Sequence, residues 1–252
     1  MIEFDALSKA YDGFDAVKAL TLAVPRGEVF GFLGPNGAGK TTTIRMMMGV
    51  LVPSGGRVTI AGLDCHTQRA FVQQHVGYLP DNPVFYDYLR GREILQFVGE
   101  MHGLSRREAA SRCGRALEDW GLADVTDEFA VNYSMGMKKK LGLACALMHE
   151  PDVLILDEPT NGLDPRAARE VQDRLKTIAE QGRTIFVSTH LLDMAERLCS
   201  RIGIIDRGSL IAAGTAAQLR QEGAASESLE DIFLRMTEQP QAPTAVSAAP
   251  AQ

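Results

Sequence analysis

Residues 34–41 read GPNGAGKT, a fit to G-x-x-x-x-G-K-[ST], set between the apolar run VFGFL and the helix-like stretch TTTIRMMMG. No other feature constrains the fold as much, because a buried strand must run into a tight glycine turn and straight on into a helix. Gly34, Gly37 and Gly39 let the backbone curl. The loop Gly34, Pro35, Asn36, Gly37, Ala38, Gly39 can then aim amide N–H groups and a helix N-terminus at the β- and γ-phosphates of a nucleotide. Lys40 adds a positive charge, Thr41 offers a hydroxyl to a Mg²⁺ ion bridging those phosphates, and Thr42 supports it. A glycine turn that merely joins strand to helix has no use for Lys and Thr at these offsets. The loop alone fixes only a nucleotide-binding P-loop protein, a class with many functions.

Short β-type runs alternate with helical patterns along most of the 252 residues, which predicts an α/β fold with a mixed, mainly parallel sheet. The expected strands are 29–33, 57–61, 76–79, 153–156, 184–188 and 201–205, several of them continuously apolar as central parallel strands are. Between about 81 and 150 the strand signals stop. GREILQFVGEMHGL and SRREAASRCGRALEDWGL carry apolar residues at helical spacing there, which predicts an inserted α-helical subdomain. Ser105 with Glu108 three residues on has the form of a capping box. Residues 216–237 read as a C-terminal helical end, either a small accessory dimerisation element or a simply packed one, and the sequence does not choose between them. The Pro-, Ala-, Gln- and Ser-rich stretch 238–252 is expected to be disordered.

A formal net charge of −6 argues against a mainly electrostatic nucleic-acid binder. Cys65, Cys113, Cys145 and Cys199 are scattered without a C-x-x-C pair, so neither zinc nor a disulfide framework is indicated. The opening MIEFDALSKAYDG lacks the basic start and apolar run of a secretory signal. The apolar run LGLACALM is far shorter than the ~20 residues that span a bilayer. A cytoplasmic protein, peripheral if it meets a membrane at all, is expected.

VLILDEPT at 153–160 is an apolar strand ending in two carboxylates, at the sheet edge where ligands gather. Asp157 suits Mg²⁺, directly or through water, and Glu158 suits the polarisation of an attacking water. The side-chain alternation of a strand sends the two to different tasks. A strand followed by a polar turn would also read Asp-Glu-Pro. The P-loop upstream favours the first reading.

YSMGMKKKLGLACAL, from Tyr133, resembles the signature segment LSGGQ of ABC transporters. With the order of motifs, the chain resembles an ABC transporter nucleotide-binding subunit over Ile2 to about Ala213. The resemblance implies an ABC ATPase domain over 1–237, using ATP and Mg²⁺. Ser134 and Gly136 open a helix whose N-terminal amides suit a second anion. In the family that anion is the γ-phosphate on a partner subunit's P-loop, so two chains sandwich two ATP molecules. The resemblance further implies that Asp164 of NGLDP lies in the loop crossing that dimer interface, that His190 of STH contacts the γ-phosphate, and that Tyr11 stacks on adenine. Glu158, His190 and Lys40 are then the catalytic set. Phe85, Tyr86 and Tyr88 of NPVFYDYL fall where the family receives a coupling helix from an integral membrane permease, which places the chain on the inner face of the cell membrane. No nucleic-acid partner is implied.

Three positions depart from the pattern. Asp81 stands where the family usually has a glutamine near the γ-phosphate and Mg²⁺. A carboxylate can still ligate Mg²⁺ through water, but it donates no hydrogen bond. Met135 replaces a signature glycine and Met137 its glutamine, as in a subgroup that exports drugs, lipids, polysaccharides or sodium. Two rival functions stay open. A soluble ABC ATPase of translation or DNA repair would carry two cassettes or a long coiled coil, which this length does not hold. A regulatory nucleotide binder without turnover is suggested by Asp81 and the altered signature.

Overall fold

Sheet order decides where the motifs meet. The computed structural model describes residues 1–221 and 229–238. In chain order their elements are β1 (Ile2–Tyr11), β2 (Phe14–Val24), β3 (Val29–Leu33), α1 (Lys40–Met47), β4 (Gly55–Ile60), β5 (Leu63–Asp64), α2 (Arg69–His75) and β6 (Val76–Leu79). Three helices follow, α3 (Gly91–Met101), α4 (Arg106–Asp119) and α5 (Met135–Leu147), then β7 (Val153–Asp157), α6 (Pro165–Glu180) and β8 (Thr184–Thr189). The chain continues through α7 (Leu192–Leu198), β9 (Arg201–Asp206), β10 (Ser209–Gly214), α8 (Ala216–Gln221) and α9 (Leu229–Glu238).

One sheet is six-stranded in the order β10-β9-β3-β8-β7-β6, parallel throughout except for β10. Its central strands are buried on both faces. Along β7, Leu154 and Leu156 enter one core with α5 and α6, while Val153 and Ile155 enter another with α1 and the second sheet. In that second core the Phe186 ring lies 5.4 to 6.0 Å from those of Phe4, Phe30 and Phe32. Each such side chain contributes on the order of 2 kcal/mol through burial.

The second sheet, β2-β1-β4-β5, is antiparallel. The strand expected at 57–61 begins earlier, at Gly55, and belongs here rather than to the parallel sheet. Antiparallel pairing lets one face meet water, which is why β1 opens with Ile2 and Phe4 buried and Glu3 exposed between them.

Between β6 and β7 the described residues hold helices and two short 3-10 turns, joined by a single bridge from Arg90 to Phe129. Ser105 caps α4 as its sequence indicates: its Oγ accepts from Glu108 N–H at 3.3 Å, and the Glu108 carboxylate accepts from Ser105 N–H at 3.0 Å. At the other end α8 packs on β10 and on α9, burying Leu219 and Ile232. Residues 239–252, most of the stretch expected to be disordered, lie outside the described residues. No helix among the described residues is long and apolar enough to cross a membrane.

The neighbours β3, β8, β7 and β6 run the same way, so their carboxyl ends share one edge. That edge collects the loop after Leu33, the pair 157–158, the pair 189–190 and the segment after Leu79.

Candidate nucleotide site

The loop from Gly34 to Gly39 crosses the carboxyl end of β3 and turns into α1 at Gly39, whose φ of 110° only glycine adopts readily. A Cβ there would also sit 2.5 Å from the Ala16 carbonyl. No side chain caps this helix end, which leaves its first amides directed at the space in front of the loop. Lys40 is 7% exposed, and its ammonium donates to the Gly34 carbonyl at 2.6 Å and the Pro35 carbonyl at 3.2 Å. Burial lowers its pKa, an effect that Glu158 and Asp157 partly offset.

In front of the loop lies a cavity of about 330 Å³, lined by Pro35, Asn36, Gly37, Gly39, Lys40, Thr41, Thr42, Asp81, Asp157 and Glu158, with Tyr11, Phe14 and Ala16 at its rim. Thus the structure brings together most residues singled out in the sequence. Ala38 is an exception: its side chain is buried in the core and only its backbone serves the loop. Gly34 contributes through its carbonyl, held by Lys40. Phe14 and Ala16 are additions that the motifs do not signal. Tyr11 is 43% exposed, and the Lys9 ammonium lies 5.2 Å from its ring centre.

The two carboxylates separate, though not by strand alternation. Only Asp157 belongs to β7; Glu158 lies past its end with φ at 46°, a conformation that costs a non-glycine residue on the order of 1 kcal/mol or more. Asp157 accepts from the Ser188 hydroxyl. Burial raises its pKa, the Ser188 bond opposes that, and the neighbouring Glu158 charge adds to it. Glu158 accepts from Thr189 Oγ1 at 3.0 Å on one oxygen. Its other oxygen meets His190 Nδ1 at 2.8 Å and Lys40 Nζ at 3.8 Å.

Asp81 reaches the cavity, yet its carboxylate is engaged from behind. Oδ1 lies 3.4 Å from Lys139 Nζ and 3.2 Å from Asn161 Nδ2, and Oδ2 accepts from Asn82 at 3.3 Å. Lys139, unremarked in the sequence, is 1% exposed and also donates to the Glu158 carbonyl.

Ser134, Gly136 and Asp164 do not line this cavity. Ser134 caps α5, its Oγ accepting from Met137 N–H at 3.2 Å. Asp164 caps α6, accepting from the amides of Arg166 and Ala167, both at 3.0 Å.

Residues 17–161 match the family model for ABC transporters. This chain belongs to the ABC transporter family. Within it, the chain is an ATP-binding cassette. It is 40% identical, over 94% of its length, to a probable multidrug ABC transporter ATP-binding protein, YbhF, of Escherichia coli (strain K12), and spans 41% of that relative's length. It is 38% identical over 87% of its length to the linearmycin resistance ATP-binding protein LnrL of Bacillus subtilis (strain 168), covering 70% of that protein. A solved ATP-binding subunit of an ABC transporter superimposes with a TM-score of 0.86 at 33% identity, covering 94% of this chain and 99% of the other. The dimeric, post-hydrolysis ATP-binding cassette MJ0796 bound to ADP and Pi shares the fold, with a TM-score of 0.80 at 21% identity over 85% of this chain and 98% of the other.

Proposed function

We propose that this chain is the ATP-hydrolysing subunit of an ABC transporter and powers export through a separate integral membrane permease. The observation that carries the reading is the hold on Glu158, a carboxylate fixed by Thr189 and His190 on the floor of the P-loop cavity. Such a group, oriented on two sides and open to the cavity, suits the polarisation of a water against a γ-phosphate. Lys40 and the open N-terminus of α1 bind the phosphates, and Tyr11 at the rim offers a face to the base. His190 shares Glu158 Oε1 with Lys40 and senses the γ-phosphate from there.

The donor set fits Mg²⁺, since the Thr41 hydroxyl and the Asp157 carboxylate are hard oxygen ligands on the same cavity, with Asp81 at its edge. When bound with ATP, Mg²⁺ neutralises charge developing on the phosphates. The Thr41 hydroxyl and the Asp157 carboxylate would hold it, with Asp81 beside them.

Ser134 and Gly136 lie at an exposed helix start outside the chain's own cavity, which suits a role on a second copy's ATP. A homodimer, or a pair with a related subunit, is therefore proposed on ATP binding, with Asp164 near the crossing. Val84 (90% exposed), Tyr86 (71%) and Tyr88 (81%) offer an apolar surface for the permease's coupling helix, while Phe85 is tucked against the helical core. The solved relative CbiO1, 30% identical with a TM-score of 0.75, is described as part of a transporter complex. Attachment to the inner face of the cell membrane follows from such a partner; a nucleic-acid partner does not fit the negative charge.

Phosphate release from Mg-ATP by the purified chain tests the reading. Glu158→Gln is expected to lower kcat by about a thousandfold, the middle of the range for loss of a general base, with ATP affinity kept within threefold. Turnover by that variant within threefold of the parent would overturn it.

A further inference from the structure

The charged run Lys138-Lys139-Lys140 does not behave as one surface patch. Lys138 and Lys140 are partly exposed, and Lys140 pairs with Glu170 at 3.2 Å. Lys139 faces inward on the same side of α5 as Gly142, Leu143 and Ala146, all buried. Gly142 makes that depth possible: a Cβ on it would lie 2.5 Å from Leu79 Cδ1 and 3.4 Å from Pro83, so α5 presses directly on the segment that carries Asp81. One turn towards the helix start, the Lys139 ammonium meets two acceptors, the Asp81 carboxylate at 3.4 Å and the Glu158 carbonyl. Burial lowers its pKa, while Asp81 and then Glu158 and Asp157 pull it back up. A buried ammonium is costly unless its protons and charge are met, so this contact is not incidental packing.

We propose that Lys139 is a positioning residue for ATP hydrolysis: one ammonium ties α5 to the main chain of Glu158 and holds Asp81 at the cavity edge. The inference rests on the ATPase reading above. Glu158 sits in a left-handed backbone conformation just past β7, which its own residue type does not favour, and Lys139 grips the carbonyl of that residue. The same lysine supplies the cation that lets an acid stand where an uncharged amide is usual. A movement of α5, whose opening residues Ser134 and Gly136 are those proposed to meet a second copy's ATP, would thereby be transmitted to the carboxylate that orients water.

Lys139→Met and Lys139→Arg, made in the full chain and assayed beside the parent, test this. The methionine variant is expected to lower kcat at least tenfold with KM for ATP within threefold, and the arginine variant to recover kcat to within threefold of the parent. A purely structural lysine would lower the melting temperature and leave kcat of the folded protein unchanged. A kcat within twofold of the parent for folded Lys139→Met overturns the proposal, as does a rise in KM that accounts for the whole loss. If Lys139→Met does not fold, Lys139→Gln is read the same way, with a fivefold loss of kcat supporting and a loss under twofold overturning. A parent without turnover overturns the ATPase reading, and this inference with it.

Discussion

Lys40 and Lys139 are both buried ammonium groups within reach of Glu158, and they hold it differently. Lys40 opens on the cavity, donates to two loop carbonyls and stands 3.8 Å from the Glu158 side chain. Phosphate oxygens can replace those partners. Lys139 does not line the cavity and donates to the Glu158 main chain while pairing with Asp81. The loop side is thus organised for exchange of ligands, and the α5 side for holding a geometry. The difference arises from packing: α1 offers an uncapped end to the cavity, whereas α5 is capped by Ser134 and pressed onto Leu79 and Pro83.

Variants on the two sides should differ in signature, and a shared signature would mean that the two lysines hold Glu158 alike. On the loop side, Lys40→Ala is expected to weaken Mg-ATP binding by about a hundredfold, the loss of charge-assisted bonds to phosphate, with little change in melting temperature. Equilibrium titration with a fluorescent ATP analogue reads the first and a thermal melt the second. On the α5 side the pattern should invert. Gly142→Val, by forcing a side chain against Leu79 and Pro83, is expected to cost about 2 kcal/mol in denaturant unfolding while ATP affinity stays within threefold.

A pH effect sharpens the contrast on the helical side. The His149 ring stacks on His102 at 3.8 Å, and its Nε2 lies 3.1 Å from the Val76 carbonyl. Burial first, then His102, lowers its pKa to about 4. The folded state therefore binds that proton less readily than the unfolded chain, whose histidine titrates near 6.5. Stability from this site is complete above pH 6.5 and is lost as pH falls towards 4. Between pH 7 and pH 5 the parent should lose about 1.5 kcal/mol more than His149→Leu, read by urea unfolding at each pH. The smallest effect is Asp164→Ala, which removes the cap of α6 and is expected to lower the melting temperature by about 3 °C, read in a thermal melt.

Much of the fold was legible because its signals are local. The strands at 29–33 and 76–79 fall where their apolar runs place them, and the caps Ser105 and Ser134 are written by residue type. The hairpin of β1 and β2 went unread. Its alternation is broken by register shifts between Phe4 and Ala10, although the turn Asp12-Gly13 between two half-apolar runs is a hairpin signal. The short β5 and the edge strand β10 carry few buried residues and depend on pairing with neighbours. At the site, the loop and the carboxylate pair were legible because phosphate chemistry dictates both residue type and spacing. Phe14 and Ala16 were not, because tertiary packing brings them to the rim. Lys139 was hidden by its flanking lysines. Helical spacing to Gly142, Leu143 and Ala146 was the signal that places it on the buried face.

Under the proposed function, ATP is expected to join two of these chains, so that Ser134 and Gly136 of each complete the other's cavity. Light scattering on size-separated Glu158→Gln protein, with and without Mg-ATP, tests it directly. A monomer is expected without nucleotide and a dimer with it. A protein that binds Mg-ATP and keeps the same mass would contradict it.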